Sequence, residues 1–150
     1  MTFLRDRRLG HQLDLAAAKG AAAHTVDRGR KLCQLLDAFF SSYRPVPSLL
    51  HGDLWGGNWG TDEDGLPVIF DPAVYYGDRE ADIAMTRLFG GFGHAFYTTY
   101  QSTWPLDAAA GTRSTLYNLY HVLNHFNLFG GDYLTQAGTM IDRLLAELGH

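Results

Sequence analysis

Residues 51–60 read His-Gly-Asp-Leu-Trp-Gly-Gly-Asn-Trp-Gly, and four glycines in ten positions exclude a regular helix there and weaken any strand. The chain must therefore build a loop at this point, between two stretches patterned for helix. Ser48 to His51, just before it, is short and extended. Leu66 to Phe70, just after it, is an apolar run suited to a strand, and it ends at Asp71. The intervening Thr61-Asp62-Glu63-Asp64-Gly65 is turn chemistry, so the section from Trp59 to Phe70 is expected to form a small hairpin.

Helical patterns flank this insert on both sides. Thr2 to Lys19 reads as one helix closed by Gly20, with Leu4, His11, Leu15 and Ala18 as its stripe. Thr25 to Ser41 reads as a second, burying Leu32, Leu35, Leu36, Phe39 and Phe40 and stopped by Pro45 and Pro47. From Glu80 onward, Ile83, Ala84, Leu88, Phe92, Phe96 and Tyr100 recur at helical intervals, interrupted by Gly90-Gly91. Thr112 to Asn127 turns Leu116, Leu119, Tyr120, Leu123 and Phe126 inward and stops at Gly130-Gly131. Asp132 then serves as N-cap of a last helix that buries Leu134, Ala137, Ile141, Leu144, Leu145 and Leu148. The expected fold is mainly α with one small β-hairpin, in a chain of 150 residues sized for one domain.

Charge and cysteine usage narrow the partners and the compartment. A formal net charge of -4, with Arg5, Arg7 and Arg8 a tight basic group at the start of a helix, argues against nucleic acid or an acidic membrane surface. No apolar run is long enough to span a bilayer, and Arg5 to Gln12 is polar where a signal peptide would be apolar. Cys33 stands alone, which fits a reducing compartment, so a cytoplasmic location is expected.

The chemistry lies in the loop and at the hairpin's end. Asp53, flanked by glycine, can present a carboxylate unconstrained by helix geometry, as a base or an orienting group for a hydroxyl. Asn58 offers an amide oxygen, and Asp71 a carboxylate projecting from the strand end toward the same loop. Two hard oxygen ligands, with phosphates and waters, suit magnesium, so the trio suits phosphoryl transfer from ATP to an alcohol. A metallohydrolase built on His51, Asp53, Asp71 and Asp78 is the competing reading, but it lacks a second well-placed histidine.

The segments LLHGDLWGGN, VIFDPAVYYGDREADIAMTRLFGGF and LYNLYHVLNHFNLFGG, with RRLGHQLDLAAAKG near the start, resemble the fructosamine (ketosamine) kinase family. That family belongs with the kinases similar to aminoglycoside phosphotransferases and, more distantly, to protein kinases. HGDxxxxN points to the superfamily; DPAVYYGDREAD and LNHFNLFGG narrow it. The resemblance implies that Asp53 is the catalytic base and that Asn58 and Asp71 bind Mg2+. It also implies that Trp55 and His125 lie by a sugar-like substrate, although Trp55 could instead plug the loop and His125 could be a core histidine. His51 is expected to brace the loop, and Asp82 to anchor its backbone from the following helix. The implied activity is ATP-dependent phosphorylation of a ketosamine hydroxyl on glycated amines or proteins. The alternatives are a related aminoglycoside or amino-sugar kinase and a non-catalytic sugar-binding remnant.

Parts of such a kinase are missing from the pattern. Its only lysines are Lys19 and Lys31, both in helical segments, and neither GxGxxG nor GxxxxGK[ST] occurs. Residues 1–150 are thus expected to be the C-terminal catalytic lobe of a protein-kinase-like fold without its nucleotide-binding N-lobe, through truncation, a split gene or a misplaced start codon. Met1 would fall within an internal helix of the parent. Apolar surface left bare by the absent lobe would favour self-association.

Overall fold

A computed structural model of the chain describes residues 2–150. The first helical pattern forms, but not as one regular helix over Thr2–Lys19. Phe3–Gly10 winds as a π-helix and α1 follows over His11–Ala18. A π-turn holds one more residue than an α-turn, so the inward face shifts. Leu9, Leu13 and Ala16 are buried, whereas His11, Leu15 and Ala18 of the expected stripe are exposed and Leu4 is half-buried. Gly10 suits this winding, because a Cβ there would stand 2.8 Å from the carbonyl oxygen of Arg5, five residues back.

The second pattern is α2, Ala23–Leu35, tightening into a 3-10 turn over Leu36–Phe40. Leu32, Leu36 and Phe39 point inward as expected, while Leu35 and Phe40 are half-buried. The chain then divides into two compact units: residues up to Tyr43 with Asn118–His150, and Arg44–Tyr117. The boundary falls within α5, Ala110–Phe129.

In the first unit, Leu119, Val122 and Leu123 of α5 are buried, as are Ala137, Ile141, Leu144 and Leu145 of α6, Tyr133–Glu147. Leu134, Leu148, Tyr120 and Phe126 are only half-buried. Asp132 takes the N-cap position but its side chain makes no capping bond; its backbone oxygen instead accepts from Gln136 N. Gly29 is where α1, α2 and α6 approach most tightly. A Cβ there would meet Leu13 Cδ2 at 2.5 Å and Ile141 Cδ1 at 3.3 Å.

The second unit contains the hairpin. β2, Trp59–Thr61, pairs antiparallel with β3, Pro67–Ile69, in the register Trp59↔Ile69, Gly60↔Val68 and Thr61↔Pro67. The turn closes through Asp62, whose carboxylate accepts from Asp64 N and Leu66 N. A second two-stranded sheet was not expected from the sequence. β1, Pro47–Leu50, pairs antiparallel with β4, Tyr75–Asp78, across more than twenty intervening residues. The expected apolar strand is also not a buried one: Leu66, Ile69 and Phe70 all lie exposed.

β4 leads directly into α3, Arg79–Leu88, whose N-cap Asp78 accepts from Glu80 N. Ala81, Ile83, Ala84 and Met85 bury its inner side. The helical pattern from Glu80 breaks at Gly90-Gly91, so Phe92 lies in a loop and α4 restarts at His94–Thr103. Phe96 and Tyr100 are half-buried, and no residue of α4 is fully buried. The fold is mostly helical with small antiparallel sheets. Among the described residues, no helix is long and apolar enough to cross a membrane.

Gly29→Ala is expected to destabilise the protein by about 1–3 kcal/mol through overpacking against Leu13 and Ile141. Thermal or denaturant unfolding measures this, and an unchanged midpoint would contradict the packing described.

Candidate active site

β1 ends at Leu50 and delivers His51 and Gly52 to the mouth of the glycine loop. Their backbone N–H groups donate to one carboxylate: His51 N to Asp82 Oδ2 at 2.7 Å and Gly52 N to Asp82 Oδ1 at 2.9 Å. Asp82 therefore receives both N–H groups of the loop entry from the first turn of α3. Burial raises its pKa above the ordinary aspartate value, and the N–H bonds from Gly52 and His51 work against that shift.

Gly52 is indispensable for a geometric reason. Its φ is +83°, and a Cβ would stand 2.0 Å from the carbonyl oxygen of Ala73. The same approach brings Ala73 N within 2.8 Å of His51 O, tying the loop to the segment after Asp71.

His51 braces the loop with both ring nitrogens. Asp53 N donates to its Nδ1 at 3.3 Å, so Nε2 carries the proton and donates to Phe70 O at 2.9 Å. With both nitrogens occupied and the ring buried, His51 has no lone pair for a metal. Asp78 is equally engaged, its Oδ1 capping α3 and its Oδ2 accepting from Tyr117 Oη at 2.7 Å. These engagements remove the metallohydrolase reading.

Asn58 joins the two candidate acids. It is buried, and its Nδ2 donates to Asp53 O at 2.9 Å and to Asp53 Oδ2 at 3.1 Å, with Asp71 O at 3.5 Å. The loop closes through Asn58 N to Trp55 O, and Phe70 N donates to Asn58 O, which seats β3 against the loop. Asp71 has φ +55°, the left-handed region that only a few non-glycine residues occupy and that costs of order 1–3 kcal/mol. It is the only non-glycine residue with positive φ among the described residues. Its side chain is exposed and accepts no hydrogen bond among the described residues. With the Asn58 amide nitrogen committed to Asp53, the oxygen atoms of Asn58 and Asp71 remain as hard donors of the kind magnesium takes.

The adjoining glycines make room for neighbours. A Cβ on Gly57 would meet the Trp55 ring at 2.3–2.8 Å, and one on Gly56 would meet Gly90 O at 3.0 Å. Trp55 thus lies over Gly57 and remains 39% exposed. Gly90 belongs to the loop before α4, whose Phe92 ring packs against Trp59 at 5.3 Å. Tyr97 shapes that loop: its hydroxyl accepts from Phe92 N and reaches Thr86 O, both at 3.2 Å.

His125 belongs to the other unit. Its Nδ1 hydrogen-bonds His121 O at 2.8 Å, and its ring lies 5.5 Å from Phe129 and 5.2 Å from Tyr133. It is half-buried rather than a sealed core group. Beside it, burial, reinforced by the charges of Arg8 and His125, pushes His121 down to about 4.

Sequence reasoning missed a buried network behind the site. Arg113, with 0% exposure, donates through Nε and Nη2 to both oxygens of Glu80, which is 1% exposed. Arg113 Nη2 also donates to Asp107 at 2.6 Å. Burial disfavours the guanidinium charge, but the bonds to Glu80 and Asp107 more than offset it and raise its pKa. The available signal was an arginine three residues before Leu116, on the inward face of α5.

Comparison with known proteins gives a consistent result. Residues 1–147 match the fructosamine kinase family. A probable ketoamine kinase of Vibrio parahaemolyticus is 46% identical over 144 residues, covering 96% of this chain and 49% of that protein. A chloroplastic protein-ribulosamine 3-kinase of Arabidopsis thaliana is 43% identical over 146 residues, covering 97% of this chain and 44% of that one. A solved structure from Thermobifida fusca, assigned as a fructosamine-3-kinase, superposes with a TM-score of 0.86 at 33% identity. It is matched over 97% of this chain and 50% of its own. The chain spans about half the length of the curated relatives it matches.

Gly52→Ala is expected to cost roughly 2–4 kcal/mol, the sum of left-handed strain and backbone overlap with Ala73. Chemical denaturation tests this, and wild-type stability in the variant would refute the loop geometry given above.

Proposed function

The chain belongs to the fructosamine kinase family, and from that premise we propose that Asp53, Asn58 and Asp71 form the phosphoryl-transfer centre of an ATP-dependent ketosamine kinase. The observation that carries this reading is the Asn58 amide. One side chain bonds the Asp53 carboxylate and approaches the Asp71 backbone, while the exposed Asp71 carboxylate takes no hydrogen bond among the described residues. The backbone holds Asp71 at a strained φ beside that amide.

On this reading Asp53 accepts the proton of the acceptor hydroxyl as that oxygen attacks the terminal phosphate. The Asn58 amide fixes which Asp53 oxygen is turned away from the loop and toward the acceptor. Bound magnesium would be held by Asn58 and Asp71, and supplies charge screening for the phosphate oxygens. Trp55 offers a flat apolar face suited to one side of a sugar, and a substrate role for His125 rests on the family resemblance alone. The substrate class is a ketosamine, a fructosamine or ribulosamine on a glycated amine or protein.

We further propose that residues 1–150 correspond to the C-terminal catalytic lobe of a protein-kinase-like fold. Support comes from exposed apolar side chains in the second unit, where Val46, Leu49, Leu66, Ile69, Val74 and Tyr76 are each 60–73% exposed. A surface of that kind on two small sheets is suited to covering by a nucleotide-binding lobe. Left bare, it would pair copies of the chain.

The test joins this chain to the nucleotide-binding half of a bacterial ketoamine kinase and assays phosphorylation of a fructosamine or ribulosamine. Activity is expected, and Asp53→Asn is expected to lower kcat by about 10²–10⁴-fold with the melting temperature unchanged. Near-wild-type turnover in that variant would remove Asp53 from the mechanism.

A further inference from the structure

The buried ion pair behind the site has a geometry that stability does not explain. Taking two charges fully out of water is expensive, and apolar side chains of similar size commonly serve a core as well or better. Yet Arg113 and Glu80 are 0% and 1% exposed, joined by bonds of 2.7 and 2.9 Å in a planar fork. What distinguishes the pair is where it grips. Glu80 lies in the first turn of α3, two residues before Asp82. Residues two apart on a helix face nearly opposite sides, so that turn is a bridge. Glu80 reaches back to α5 while Asp82 reaches forward to His51 N and Gly52 N.

A second grip sits one turn along α5. Tyr117, four residues after Arg113 and on the same face, donates to Asp78 Oδ2 at 2.7 Å. Asp78 Oδ1 caps α3 by accepting Glu80 N at 3.0 Å. Asp107, which accepts from Arg113 Nη2 and from Ala109 N, fixes the guanidinium from the start of α5. Rotation of α3 about its axis would swing Asp82 off the loop, and the fork opposes that rotation because it fixes an orientation as well as a separation. A lysine, as a point charge, would not.

We infer that the Arg113–Glu80 pair, seated on Asp107, is a positioning element that sets the rotation of α3 and thereby holds the His51-Gly52 entry to the Asp53 loop through Asp82. Its catalytic importance rests on the function proposed above; its effect on the loop does not.

The test is amide hydrogen exchange on the chain carrying Arg113→Lys, compared at His51 and Gly52 and at Ala84 and Leu116 as reporters of α3 and α5. Exchange at His51 and Gly52 is expected to quicken by roughly tenfold or more while both reporters keep their protection. The paired replacement Glu80→Met with Arg113→Met, which removes the buried charges together, is expected to give the same local loss. Unchanged protection at His51 and Gly52 would overturn the inference. So would loss that merely tracks Ala84 and Leu116, or collapse of both variants, since the pair would then serve stability alone. In the lobe-joined enzyme, Arg113→Lys is expected to lower kcat with little change in KM, which a purely stabilising role would not do. If the wild-type lobe-joined protein phosphorylates no ketosamine while the exchange result holds, the kinase reading fails and the positioning role stands.

Discussion

The N–H groups of His51 and Gly52 end on the two oxygens of one half-buried carboxylate, Asp82, and the geometry of the candidate site follows from that attachment. Glycine loops have no rigidity of their own, because they lack the side chains that restrict φ and ψ. Here the entry is pinned by a charge-assisted pair of bonds, the stronger class of hydrogen bond, from a helix that is itself capped and clamped. His51 extends the hold by engaging Phe70 O and Asp53 N. Asn58 closes the far end onto Asp53. With these contacts in place Asp53 is half-buried and Asp71 exposed.

The arrangement also bears on Asp71, the one strained non-glycine backbone position among the described residues. Gly52 at φ +83° and Asp71 at φ +55° occupy conformations with little tolerance for change. They lie at the two strands of chain linked by Ala73 N to His51 O. Strain persists where surrounding bonds over-determine the backbone, and the Asp82 anchor, the His51 brace and the β1–β4 pairing do so. Asp71 bears the cost although its carboxylate takes no hydrogen bond among the described residues.

What could be read from the sequence was what local spacing encodes. The β2–β3 hairpin, its Asp62–Gly65 turn, and the burial of Leu32, Leu36, Leu116, Leu123, Ile141 and Leu144 all follow from patterns within one element. The hydrogen bonds that tie His51 and Asp82 to the loop join segments far apart in sequence, so no local spacing encodes them. The β1–β4 sheet was not legible, because its partners are far apart in sequence and Gly77 breaks the strand signal. Nor was the π-winding of Phe3–Gly10, which displaced the expected stripe from Leu15 to Leu13. The Arg113–Glu80 pair was hidden for a related reason: an arginine in a helix reads as solvated until a partner from a distant segment is known.

The central claim is that Asn58 and Asp71 offer oxygen ligands to a divalent cation beside Asp53. Titration of the chain with Mn2+, read as paramagnetic broadening of backbone amide signals, tests it most directly. The account predicts broadening centred on residues 53–58 and 71–73 that Asp71→Asn abolishes. Broadening centred on the acidic turn at Asp62–Asp64, or a pattern indifferent to Asp71→Asn, would contradict it.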